Sequence, residues 1–169
     1  MHLNYSSVAA LLEAAAENSC PVSRLVLAQQ AEQLETTQDE VYRRMLENYQ
    51  VMKACIEPGC SPTLKSASGL TGGDAFRMKS AVEKKTNLTG SLIGGALYRA
   101  LAVSELNASM GRIVAAPTAG SCGILPAAVL TLQEEKNLPE ESCVMSLFTA
   151  SAIGMVIAAN ACLAGAQGG

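Results

Sequence analysis

Between residues 41 and 56 the apolar side chains fall at Val41, Met45, Tyr49, Met52 and Ile56, while Arg43, Arg44, Glu47 and Lys53 take other faces. Spacing of three and four residues predicts an amphipathic helix. Thr37, with Glu40 following as in a capping box, opens it, and Pro58 with Gly59 closes it. Upstream, Leu11, Leu12 and Ala15 after Ser6 and Ser7 predict a first helix, and Pro21 opens a second in "PVSRLVLAQQAEQLE". Downstream, residues 60–73, "CSPTLKSASGLTGG", have loop chemistry. Asp74 then stands as N-cap or first-turn acid of "DAFRMKSAVEKK". In the next segment Leu92, Ala96, Leu97, Ala100 and Val103 share a broad helical face, and Gly94 and Gly95 weaken the helix but permit a neighbour to approach.

The last third carries a different pattern. No charged residue follows Glu141, and residues 144–159, "VMSLFTASAIGMVIAA", contain nothing more polar than Ser and Thr. A spanning helix needs about 20 predominantly apolar residues, and this Ala- and Gly-rich run reaches Asn160 sooner. It is therefore expected to be a core helix packed on all sides rather than a membrane span. Only "RIVAAP" suggests a short extended piece. The predicted class is all-α: a compact bundle of about six to seven helices around a central apolar Ala/Gly-rich helix.

A chain of 169 residues with 49% apolar and 16% charged residues is expected to fold as a single helical domain, residues 1–169. Its net charge of -3 lacks the positive field that binds nucleic acid, so no such partner is expected. The start, "MHLNYSSVAALLEAAAENSC", has neither the basic region nor the apolar run of a signal peptide, which predicts a cytoplasmic protein with reduced thiols. Most of Cys20, Cys55, Cys60, Cys122, Cys143 and Cys162 then read as small core residues. Cys55 and Cys60 make a weak metal pair, because His2 is the lone histidine.

The stretch 111–130, "GRIVAAPTAGSCGILPAAVL", gathers candidate chemistry. Pro126 fits a helix only in its first turn, so a helix should begin near Cys122 or Gly123. Pro117 fixes the entering turn, while Gly120 and Gly123 let the backbone approach something closely. The free amides and positive helix end would suit a carboxylate. The competing reading is a helix start capped by Ser121 that touches no ligand.

"GLTGGDA" (69–75), "ELNASMGRIVAAPTAGSCGILPA" (105–127) and "AANACLAGAQGG" (158–169), in that order, resemble the α subunit of bacterial iron-sulfur-dependent L-serine dehydratase. The resemblance implies a lyase that converts L-serine to pyruvate and ammonia with a 4Fe-4S cluster, whose open iron site serves as Lewis acid for the leaving hydroxyl. In that family the segment like "AGAQGG" is followed at once by a cluster-binding cysteine, and two more lie further along. The six cysteines here match none of them. The resemblance thus implies the truncated N-terminal part of the catalytic domain, with cluster ligands beyond Gly169, no metal ligand within it, and no activity alone.

On this reading the chain supplies substrate-pocket loops: Thr71, Gly72, Gly73 and Asp74, then Asn107, then Pro117, Thr118, Ala119, Gly120, Ser121, Cys122 and Gly123. The helix start at Ser121 to Gly123 suits the substrate carboxylate, Asp74 the ammonium, and Cys122 lines the pocket. Asn107 weighs equally as a site amide and as a helix-interior residue satisfied by a neighbour. No residue stands out as the general base, and Lys65 reads as a surface lysine. The partners expected are L-serine, a β subunit or β domain, and a second copy of the chain, with no membrane. Two alternatives stay open: a related iron-sulfur lyase for L-cysteine or L-threonine, and a non-catalytic helical subunit-pairing module.

Overall fold

The computed structural model describes residues 5–161. His2, Cys162 and the closing "LAGAQGG" lie outside the described residues. Within them the protein is all-α: seven helices of ten or more residues and one four-residue turn, with no strand. The helices are α1 (Val8–Glu17), α2 (Val22–Gln33), α3 (Gln38–Ala54), α4 (Ile56–Gly59), α5 (Asp74–Glu83), α6 (Gly90–Ala108), α7 (Ile124–Lys136) and α8 (Glu140–Asn160). The "RIVAAP" segment is irregular backbone without strand pairing.

Local chemistry sets the helix ends. Ser7 caps α1 by accepting from the Ala10 amide at 3.1 Å. Pro21 precedes α2, and the Thr37 hydroxyl accepts from the Glu40 amide at 3.2 Å to start α3. Glu40's carboxylate turns to Arg43 and Arg44, whose hydrogen bonds hold it down to about 2. The helix predicted to reach Pro58 stops at Ala54, and α4 follows as a separate turn. Gly59 in α4 is where the chain meets α6: a Cβ there would lie 2.2 Å from the Ala102 carbonyl oxygen.

The chain divides into two units, one comprising residues up to Leu46 with those from Val144 onward, the other Glu47–Cys143. In the first, Leu11, Leu25, Val26, Val41, Phe148 and Val156 are buried. Tyr5 and Gln29 are hydrogen-bonded through their side chains, and Asn160 donates to the Ser6 carbonyl at 3.1 Å. The apolar run in α8 buries one face through Val144, Leu147, Phe148, Ala152 and Val156. Ile153 and Ile157 are exposed, so burial on all sides is not what the helix achieves. By length and composition alone α8 is also apolar enough to cross a membrane, with a mean hydropathy of 1.9.

The second unit is organised around α6, which packs on α4, α5 and α7. Cys60, Ala75 and Ala102 form one buried cluster; Cys55, Val103 and Cys122 form another, joined by Val51, Ile56, Leu106 and Ile113. The Tyr49 hydroxyl donates to Gln133, and Gln50 donates to Glu140 at 3.0 Å.

Candidate functional site

Two glycine-bearing loops are tied to the last turns of α6 by different means. The first is the "GLTGGDA" loop. Glu105 of α6 is 7% exposed, and its carboxylate accepts from the Gly73 amide at 2.9 Å and the Asp74 amide at 2.7 Å. An acidic group at a helix start answers both the orphan amides and the positive end of the dipole. Gly73, in the left-handed region at φ 86°, is the N-cap of α5, and Asp74 is its first residue. Gly72 is equally constrained, since a Cβ there would lie 2.2 Å from the Leu64 carbonyl oxygen. Ser66 and Thr71 close the loop, with Ser66 N donating to Thr71 O at 2.9 Å and Thr71 N to Ser66 Oγ at 3.1 Å. Ala67 donates to the Ala108 carbonyl at 2.8 Å, a second tie to α6.

The amides of Gly73 and Asp74 are therefore occupied by the protein itself. Asp74's carboxylate is exposed and pairs with Arg77 one turn on. Glu105 is the residue that sequence reasoning missed as a positioning group. Its signal was an acid at a helical position among apolar neighbours, two residues before Asn107.

The second loop runs from Pro117, across a cis Ala116–Pro117 bond, to Ser121. Pro117, Thr118, Ala119 and Gly120 are exposed. Thr118 and Ser121 close it reciprocally. Ser121 N donates to Thr118 Oγ1 at 3.2 Å, Thr118 N donates to Ser121 Oγ at 3.3 Å, and the hydroxyls lie 3.0 Å apart. Ser121 Oγ also reaches the Ala116 carbonyl at 3.2 Å. Asn107 donates from Nδ2 to the Ala119 carbonyl at 3.2 Å, which pins the loop to α6. The amides of Ala119 and Gly120 find no acceptor within this loop.

Several expected roles shift. The N-cap of α7 is Gly123 without a side-chain cap, because the Ser121 hydroxyl is spent on closing its own loop. Pro126 stands in the first turn of α7, as its missing amide requires. A Cβ on Gly123 would lie 2.5 Å from the Ala100 carbonyl oxygen. The close approach Gly123 permits is therefore that of α6, not of a ligand. Cys122 is 0% exposed in the Cys55–Val103 cluster, so it packs the core instead of lining a pocket. Of the amides predicted to be free, that of Ser121 is taken by Thr118, while those of Cys122 and Gly123, like those of Ala119 and Gly120, find no acceptor among the described residues.

The donor set of the described residues does not fit an iron-sulfur cluster. Among the described residues no three His, Cys, Asp or Glu side chains are placed to hold a metal. Cys55, Cys60, Cys122 and Cys143 are buried, and burial pushes each thiol up, away from the thiolate a metal needs. The Cys55 thiol donates to the carbonyls of Val51 and Arg112, at 3.0 and 3.2 Å. Cys55 and Cys60 belong to separate clusters.

Residues 17–169 match the family model of the serine dehydratase alpha chain, and the chain belongs to that family. It is 38% identical over 165 residues to the probable L-serine dehydratase alpha chain of Bacillus subtilis (strain 168), covering 98% of this chain and 55% of that one. It is 31% identical over 159 residues to the L-serine dehydratase alpha chain of Peptoniphilus asaccharolyticus, covering 94% and 54%. Against L-serine dehydratase 2 of Escherichia coli (strain K12) it is 31% identical over 176 residues, covering 98% and 37%. The chain thus spans about half the length of these α-chain relatives. No solved structure matches.

Proposed function

We propose that these residues are the N-terminal part of a catalytic α chain that removes water from L-serine. The observation that carries the reading is the 117–121 loop, closed by Thr118 and Ser121, held to α6 by Asn107, and left with exposed backbone amides at Ala119 and Gly120. In a chain of this family such amides suit the serine carboxylate, since preformed donors lose little entropy on binding an anion. Asp74 is assigned the ammonium, which would share its carboxylate with Arg77. Gly72 and Gly73, clamped through Glu105, set where Asp74 starts.

The reaction is a β-elimination. The Cα proton goes to a base and the Cβ–O bond breaks, so serine yields aminoacrylate and water. Aminoacrylate then tautomerises and hydrolyses to pyruvate and ammonia. What this chain contributes is binding of the two charged ends of serine, the carboxylate at the 117–121 loop and the ammonium at Asp74. Neither the base nor the group that takes the hydroxyl is assigned to a described residue, and the buried thiols of Cys55, Cys60, Cys122 and Cys143 are unsuited to a cluster. A β partner is inferred from the α-chain designation of these relatives. The larger remainder of the E. coli relative, of which the chain covers 37%, is consistent with a fused second part.

The test is pyruvate formation by the full-length α chain carrying this sequence, together with its β partner, on L-serine, L-threonine and L-cysteine. Turnover of L-serine with a clear kcat/KM advantage is expected. No turnover of L-serine, or preference for another amino acid, overturns the reading.

A further inference from the structure

Arg99 of α6 lies away from both loops and is 9% exposed in its side chain, an arrangement that hydrophobic packing does not require. Burying a guanidinium costs several kcal/mol before its partners repay it. The sequence nonetheless makes room for it. A Cβ on Gly95 would lie 3.1 Å from Arg99 Nη1 and 3.2 Å from the Thr131 methyl, so glycine there clears the space the guanidinium fills. Nη1 donates to the Gly95 carbonyl and to Thr131 Oγ1, both at 3.2 Å, and the group lies 4.6 Å from the Tyr98 ring centre. Its ion-pair partner is Glu134 of α7, whose side chain is 72% exposed. A fixed, buried cation is thus covered by a carboxylate that comes in from solvent.

Arg99 and Glu134 line a cavity of about 340 Å³, which lies at the small end of ligand-binding pockets. The same cavity brings Lys79 and Ser91 to its wall as donors, and Glu135 and Glu83, the latter paired with Lys79 at 3.9 Å, as carboxylates. Cationic and anionic groups around one small space complement a zwitterion better than a simple anion or cation.

We propose that this cavity is a second binding site, independent of the 117–121 loop, for a small free α-amino acid with a short neutral side chain. Its carboxylate takes the place of Glu134 on Arg99, assisted by Lys79, and its ammonium faces Glu83 and Glu135. Glu134 then acts as a built-in competitor: it satisfies Arg99 in the empty cavity and swings out when the ligand enters. A competitor of this kind lowers apparent affinity by the fraction of time it occupies the cation.

That competition sets the sign of the test. L-Alanine, which has no leaving group, is titrated into the full-length α chain carrying this sequence by calorimetry and followed by amide chemical shifts. Glu134→Gln removes the competing charge at an exposed position and keeps an acceptor for Arg99. It is expected to tighten L-alanine binding roughly two- to fivefold, the range a half-exposed ion pair can supply. Lys79→Met, on a partly exposed helix face, should weaken it. Shifts should appear at Ser91, Gly95 and Thr131. Acetate and methylamine, each carrying one charge, should bind more weakly than L-alanine. Unchanged or weaker binding to Glu134→Gln, no saturable binding by either protein, or shifts confined to Thr118–Ser121 would each overturn the proposal.

Discussion

The two loops that meet the end of α6 are built oppositely. The "GLTGGDA" loop is fixed by a buried charge, with the Glu105 carboxylate held on two backbone amides. The 117–121 loop is fixed by neutral, exposed groups: two hydroxyls and one side-chain amide. A charge-assisted pair in a low-dielectric setting is costly to break, whereas exposed neutral hydrogen bonds exchange readily with water. The first loop is therefore a structural fixture whose amides are already taken. The second keeps amides available and can adjust around a ligand.

The comparison breaks most decisively at Glu105. Glu105→Ala strands two amides at the start of α5 and should cost about 3 kcal/mol in urea unfolding, at the upper end for a charged hydrogen-bond acceptor. Glu105→Gln keeps one acceptor and should cost about half as much. A loss below about 0.5 kcal/mol for the alanine variant, the range of an ordinary surface change, would remove the distinction between the loops.

Next come the glycines. Gly123→Ala drives a Cβ to 2.5 Å from the Ala100 carbonyl oxygen and 3.1 Å from its Cα, both backbone atoms. Overpacking of this kind should destabilise by about 2 kcal/mol. In Gly120→Ala the new Cβ meets only Thr118 Oγ1, at 3.7 Å. Its stability should stay within about 0.5 kcal/mol of the parent, while serine turnover in the assembled enzyme falls, because a methyl now stands beside the proposed carboxylate site. Equal losses of stability in the two variants would mean that Gly120 is packing as well.

These contrasts mark what the sequence could and could not reveal. Periodicity located α3 and α6, because one apolar stripe per helix is what burial demands, whereas α2, α5, α7 and α8 were placed by a proline, a first-turn acid, an early proline and an uncharged run. Pro126 and Thr37 fixed two starts through the amides they lack or satisfy. The inward face of α8 was misjudged, since a run with no charge has no polar side to show which face is buried. A Ser121 cap on α7 was the competing reading, yet its hydroxyl turns back to Thr118, a choice between two near-equal hydrogen bonds that spacing cannot make. Gly123 and Cys122 belong to the motif in sequence but to the core in space. Glu105 went unassigned because burial of an acid depends on amides thirty-odd positions away, at Gly73 and Asp74.

A gentler effect is set by the thiols. Burial raises Cys55, Cys60, Cys122 and Cys143 above the ordinary value of 9.0. Folded protein thus keeps protons that the unfolded chain gives up. The resulting stability is fully present below pH 9 and is lost as pH rises through the folded values. Unfolding midpoints measured from pH 7 upward should hold until near 9 and then decline. A four-fold Cys→Ala variant should decline less steeply over that range, and an identical profile would mean the thiols do not contribute.

The smallest effect on stability is the one that bears most on function. Asn107 Nδ2 meets the Ala119 carbonyl at 3.2 Å, in an exposed setting. Removing it in Asn107→Ala should cost only about 0.5 to 1 kcal/mol, the net worth of a neutral hydrogen bond. If Asn107 only packs the loop, activity in the assembled enzyme should fall no further than that modest loss explains, and Asn107→Asp should resemble the alanine variant. If instead the tether aims the Ala119 and Gly120 amides at the serine carboxylate, the two substitutions separate. Alanine lets the loop drift and raises KM. Aspartate loses the donor and sets a negative charge beside a negatively charged substrate, so its kcat/KM should fall roughly tenfold further, as about 1.4 kcal/mol of repulsion would produce. Added salt should then recover part of the aspartate defect and none of the alanine one, because screening acts only on the charge.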